Sequence, residues 1–161
     1  MYQLTDSFLL FAFEFMSEEV STLDWVGFGE TPAYCAWRSK AFELVCVTHV
    51  EQILRALGIS GVKTTCLPWT SATARPGAQV DLLIERPDDA TDVCEMKFTN
   101  ERYAMSVQDE QDMRRKVQAF REESSTKDSL QQTLVRVHGL KRNRHSEDIA
   151  HVIDIDDLFA F

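Results

Sequence analysis

One aspartate inside an apolar run, and a Glu-x-Lys inside the next run, are the residues of this chain whose types and spacing could do chemistry. Asp81 precedes Leu82, Leu83 and Ile84, and Glu95 and Lys97 alternate with Cys94, Met96 and Phe98 beyond the turn PDDATD. Side chains alternate across a strand, so Glu95 and Lys97 leave one face while Met96 leaves the other. A hairpin pairing Val80–Ile84 with Cys94–Phe98 would set Asp81 beside them, gathering two carboxylates and an ammonium. Two hard oxygen donors plus waters suit Mg2+ or Mn2+. An ammonium at such a centre orients water or steadies charge building on a phosphoryl oxygen. The plain alternative is a cross-strand salt bridge on a solvated face, worth up to about 1 kcal/mol. It explains poorly why Glu95 and Lys97 flank Met96 within an apolar run.

Such a hairpin needs helices to cover it. Leu4, Phe8, Phe11, Ala12 and Phe15 recur at helical spacing and predict a helix over 3–18, capped at Thr5 or Asp6. The Gly-, Pro- and aromatic-rich segment 25–37 reads as a connection packed on the core. Ser39 then stands as N-cap of a helix with Phe42, Cys46, His49, Val50, Ile53 and Leu57 on one stripe and Gly58 as its stop. Strands are expected at 62–67, 79–85 and 93–98, forming a meander. A helix opening at Ser106 and Asp109 follows, with Met113, Val117 and Phe120 inward, and then strands at 132–138 and 150–155. The order predicts an α/β sandwich, a central mixed sheet flanked by helices. Residues 1–38 are expected to form a helix and connecting segment packed on a main domain of 39–161.

Glu43 borders the apolar stripe of the Ser39 helix and is a third candidate acid, unless it merely reaches past the stripe to water. His49 lies in that stripe and reads as a core residue. The only basic concentration is Lys141, Arg142, Arg144 and His145, with Arg136 on the strand before it. Any one of these reads as loop solvation. Together they are the best place for phosphate contacts.

The totals bound the reading. The chain has 161 residues, 44% of them apolar, enough for one domain with a proper core. A formal net charge of −9 argues against non-specific coating of nucleic acid and leaves room only for local contacts. Four scattered cysteines, without Cys-x-x-Cys spacing, favour a reduced, cytoplasmic setting. The N-terminal apolar stretch carries Asp6 and Glu14 and no basic residue, and makes a poor signal peptide.

An acid on a helix, Asp on a core strand and Glu-x-Lys on the next resemble the PD-(D/E)XK nuclease superfamily. The segments AFELVCVTHVEQILRALGISGV, GAQVDLLIERPDDATDVCEMKF, MRRKVQAF and HGLKRN resemble the C-terminal nuclease-like domain of the archaeal-type AAA+ ATPases of prokaryotes. The resemblance implies a restriction-endonuclease-like sandwich and Mg2+-dependent (or Mn2+-dependent) hydrolysis of phosphodiester bonds in DNA. It matches Asp81 and Glu95 to the metal-binding acids, Lys97 to the motif lysine and Glu43 to the helix acid. It sets Gln79 near the attacking water and makes Lys116 a weaker candidate from the second helix. Val80 stands where the motif's name has proline. No GxxxxGK[ST] loop occurs, so an ATPase partner is expected on another segment or polypeptide. The rival expectation is a nuclease-fold module that serves such an ATPase by binding or regulation.

Overall fold

The computed structural model describes residues 6–16 and 25–160. Residues 3–5 and 17–18 of the expected first helix lie outside them. Helix α1 (Ser7–Phe15) starts where the Asp6 carboxylate accepts the Leu9 N–H at 2.8 Å. Segment 25–37 is no connection. Most of it is helical: α2 (Trp25–Phe28), then α3 (Pro32–Thr48) capped by Thr31. Proline at the first helical position lacks only an N–H that has no partner there anyway. Ser39, expected as the cap, sits mid-helix, and its hydroxyl donates to the Cys35 carbonyl. A boundary at 38/39 would therefore cut a continuous helix. The chain pauses at His49, whose Nδ1 lies 2.8 Å from the Val45 carbonyl, and resumes as α4 (Val50–Ala56).

Seven strands follow among the described residues: β1 (Thr65–Thr70), β2 (Gln79–Glu85), β3 (Ala90–Lys97), β4 (Tyr103–Ala104), β5 (Ser129–Arg136), β6 (Leu140–Lys141) and β7 (Ile149–Ile153). The long helix α5 (Val107–Ser124) lies between β4 and β5, and α6 (Ile155–Leu158) closes the described chain. The main sheet runs β1-β2-β3-β5-β7. Its first three strands are an antiparallel meander, whereas β5 joins β3, and β7 joins β5, in parallel. The sheet is mixed and covered by helices on both faces, an α/β sandwich.

Each face has its own apolar layer. On one side Phe42, Cys46 and Ile53 of α3 and α4 pack with Leu82, Ile84, Cys94, Met96, Val135 and Ile153. On the other, Phe120 and Val117 of α5 meet Val80, Leu83 and Val93, and Met113 meets Leu134 and Ile149. Alternation along β3 thus sends Cys94 and Met96 toward α3, and Val93, Glu95 and Lys97 toward α5. The α5 start is fixed by a capping box between Ser106 and Asp109. Around α1 the aromatics form their own cluster: Phe11 lies 5.2 Å from Trp37, and Phe15 lies 4.9 Å from Phe28. Arg38, 4.4 Å from the Phe98 ring, joins that cluster to the core. No helix among the described residues is long and apolar enough to cross a membrane.

Candidate active site

Pro68 shapes the site. Leu67 pairs with Leu83 and Trp69 with Val80, so Pro68 alone stands opposite Asp81 and Leu82. Proline gives no N–H to a ladder, and two residues opposite one make a β-bulge. The bulge resets alternation: Leu82 faces α3, yet Val80 packs on the α5 side. β2 pairs with β3 from Glu85↔Thr91 to Leu82↔Cys94. At the next position the Asp81 side chain stands in for backbone, accepting the Met96 N–H on Oδ2 at 2.8 Å. A carboxylate therefore sits where the two strands part. The register differs by two residues from the expected one, because Ile84 faces Asp92 and not Cys94. An even shift leaves the side chains from Leu82 onward on their expected faces, while the bulge moves Val80 to the other.

Glu95 projects toward α5, where the Lys116 ammonium donates to its Oε2. Glu43 of α3 shares the field of both strand acids. Burial first, then Asp81 and Glu95, push its pKa up to about 6, against Lys40 and Lys116. Asp81 is also pushed up to about 6, by burial and then by Glu95, while the Met96 N–H, Lys116 and Arg136 pull the other way. The Cys46 thiol is raised to about 12, by burial first and then by Asp81 and Glu43. Glu43 thus carries the load of both strand acids, and Asp81 that of Glu95. No group of three His, Cys, Asp or Glu side chains among the described residues is close enough to hold a metal ion as it stands. As donors, Asp81 and Glu95 each commit one oxygen to the bonds above, and the second oxygen of each can take a hard cation.

Lys97 was expected beside these acids. Its ammonium instead bonds Asp109 Oδ1 at 3.2 Å and lies 5.4 Å from the Tyr103 ring, nearer the start of α5. The amine seated on an acid of the cluster is Lys116. Gln79 is exposed at the start of β2, paired with Thr70.

The basic residues part company. Arg136 is not a surface contact: it is 1% exposed, on β5 beside Lys97 in the β3–β5 register. Its guanidinium lies 4.1 Å from the Tyr103 ring, and Nε and Nη1 have no hydrogen-bond partner. Burial pulls its pKa down, against Tyr103, Glu95, Asp109 and Asp81. Arg142 holds its own loop, donating to the Ser146 and Ile149 carbonyls at 3.1 and 2.8 Å. Arg144 donates to His145 Nε2, and Lys141 is exposed. The expected phosphate-reading segment is therefore partly internal scaffolding. A cleft of about 140 Å³ between β3, β5 and α5 is lined by Glu95, Lys97, Tyr103, Lys116 and Arg136, among others. Tyr103 and Asp109 carried no signal in the sequence that marked them for this place.

No family model and no curated protein matches the chain. Among solved structures, a protein of unknown function, AF1548, matches with a TM-score of 0.47 and 13% identity, over 71% of this chain. The chain spans 64% of that protein's length.

Proposed function

We propose that this domain is a Mg2+- or Mn2+-dependent hydrolase of phosphodiester bonds in DNA, of the PD-(D/E)XK kind. The observation that carries the reading is the convergence of acidic fields where β2 and β3 part: Asp81 and Glu95 both raise Glu43, and Glu95 raises Asp81. Asp81 and Glu95 would hold the divalent cation, with Glu43 joining through water, and the bound cation would supply Lewis-acid polarisation of a phosphoryl oxygen.

Hydrolysis also needs an aligned water, a proton acceptor and positive charge for the phosphorane-like transition state. Glu43, with its pKa near 6, is suited to accept a proton from water at neutral pH. Lys116 fixes one oxygen of Glu95 and so orients the other. Lys97, on the same strand face as Glu95, supplies a second ammonium once Asp109 yields it. Gln79, exposed at the start of β2, is the candidate to position the water or strand, and the exposed Lys141 and Arg144 are candidates for flanking phosphates.

The test is cleavage of labelled single- and double-stranded DNA with Mg2+ or Mn2+. Wild type should cut, and Asp81→Asn and Glu95→Gln should each lose at least about a thousandfold in rate. Absence of cleavage by wild type refutes the reading. A second reading, a non-cleaving module that docks on an AAA+ ATPase, is favoured by one observation: α1 exposes Phe8 (68%) and Phe13 (81%).

A further inference from the structure

The cleft beside the acids contains a cation that the fold leaves unanswered. Lys97 is paired with Asp109, Lys116 with Glu95, and Arg115 with Asp112 at 3.4 Å. Arg115 also donates to the Pro76 carbonyl at 3.0 Å. Three cations thus have three acids, and the fourth, Arg136, has an aromatic face and no hydrogen bond at Nε or Nη1. We infer that this cleft binds a phosphoryl group, with Arg136 as its floor and Lys97 and Arg115 at its sides.

The physical argument is one of cost. A guanidinium stays charged in a protein, and burying it without an oxygen partner is unfavourable even over a ring. An apolar side chain would avoid that cost at this position. Leu134, two residues earlier on the same strand face, packs with Met105 and Met113, so a leucine here would extend that layer. Instead β5 carries a planar fork of donors whose geometry fits an oxyanion. Lys97 stands beside it in the strand register and Arg115 lines the same cleft; with Lys116 these cations face Glu95, Asp109 and Asp112, which leaves one positive charge in excess to favour an oxyanion. At about 140 Å³ the space suits one tetrahedral oxyanion with a few waters, and no nucleobase pair. The chain's net charge of −9 makes phosphate binding at an arbitrary surface point unfavourable. The inference rests on the hydrolase reading only for the source of the group, a strand terminus or an internal phosphodiester.

The test uses the full chain, with methionine methyls labelled with 13C, in EDTA and without divalent ions. Met105 and Met113 line the cleft, whereas Met96 is buried on the opposite face of the sheet. Titrated inorganic phosphate should shift the Met105 and Met113 methyls and leave Met96 still. Arg136→Leu should weaken phosphate at least about tenfold and melt no lower than wild type in phosphate-free buffer. If that variant does not fold, the wild-type methyl pattern alone decides. No shift in wild type, or equal affinity in Arg136→Leu, overturns the site. A short oligothymidylate that displaces phosphate only when 5′-phosphorylated supports a strand terminus; one that competes equally without it supports an internal phosphodiester. Failure of both to compete overturns a nucleic-acid source. Because no divalent ion is present, phosphate binding alongside failed cleavage would remove only the hydrolase reading.

Discussion

Replacing Asp81 by Asn separates a loaded carboxylate from an ordinary salt-bridge partner by the sign of the stability change. The folded pKa of Asp81 is about 6 against an ordinary value of 3.8, raised by burial and Glu95. About two units at roughly 1.4 kcal/mol each set an upper figure of about 3 kcal/mol for keeping this group ionised. Water screening in a half-open site brings that to about 2 kcal/mol. Asn keeps an oxygen to accept the Met96 N–H, so the strand junction is preserved. The folded state holds the Asp81 proton more tightly than the unfolded chain does. Its contribution is therefore most favourable below pH 4 and is lost as pH rises from about 4 through 6. Asp81→Asn should then stabilise the metal-free protein at pH 8 by about 2 kcal/mol, or roughly 4–8 °C in melting temperature for a chain of this size. At pH 4 the gain should shrink toward zero. Differential scanning calorimetry across pH 4–8 in EDTA reads this directly. With Mn2+ at about a hundredfold over its dissociation constant, wild type should gain about 2.7 kcal/mol and Asp81→Asn almost none. A variant less stable than wild type at pH 8, or equally stabilised at every pH, refutes the reasoning.

Other residues give independent checks. Lys116→Met removes the cation that lowers both Asp81 and Glu43, so carboxyl 13C titration should show both midpoints moving upward from about 6. Ser106→Ala breaks the α5 capping box and should cost about 1 kcal/mol in urea unfolding. Burial holds the Cys46 and Cys94 thiols above their ordinary range, so a thiol reagent at pH 8 should label Cys35 and Cys66 first and reach the other two only on unfolding.

Local chemistry made parts of this fold legible. The alternation in VDLLIE and DVCEMKF placed β2 and β3 within a few residues, because one period decides which face each side chain takes. The Ser106–Asp109 pair announced α5 for the same reason, since a capping box is satisfied within four residues. Misplacements arose where a local signal had two meanings. Thr31-Pro32 is a helix start, yet among glycines and aromatics it passed for loop, and Ser39 took the role of cap. The sequence signal ends a strand at 67, before Pro68, whereas β1 continues through the proline because a bulge excuses the missing N–H. Arg136 was hidden by topology. The alternation in QTLVRVH suggests a half-solvated strand, but β5 lies between β3 and β7 with helices on both faces. A parallel strand in that position is buried on both sides whatever its pattern. The choice between Lys97 and Lys116 depends on how α5 lies over β3, a long-range contact no spacing encodes.

The acids and the buried arginine are two halves of one electrostatic problem. Asp81 and Glu95 both raise Glu43, Glu95 raises Asp81, and among the described residues Lys116 is the amine bonded to the cluster. Arg136 favours the ionised form of Asp81 from within the same sheet, yet neither its Nε nor its Nη1 is bonded to any acid. Bringing Arg136 onto the acids would relieve both, and the strand pairing prevents it. Arg136 is in register with Lys97 and not with Glu95, whose neighbour on β5 is Leu134. That single-strand offset keeps an excess of negative charge at the β2–β3 junction and a donor fork a step away along the same face. A divalent cation carrying a phosphoryl group would answer both at once, cation to carboxylates and oxyanion to guanidinium. Moving the arginine two residues back, as Leu134→Arg with Arg136→Leu, should therefore lower the Asp81 and Glu43 midpoints while abolishing phosphate binding; unchanged midpoints would show that the offset is not what holds the charges apart.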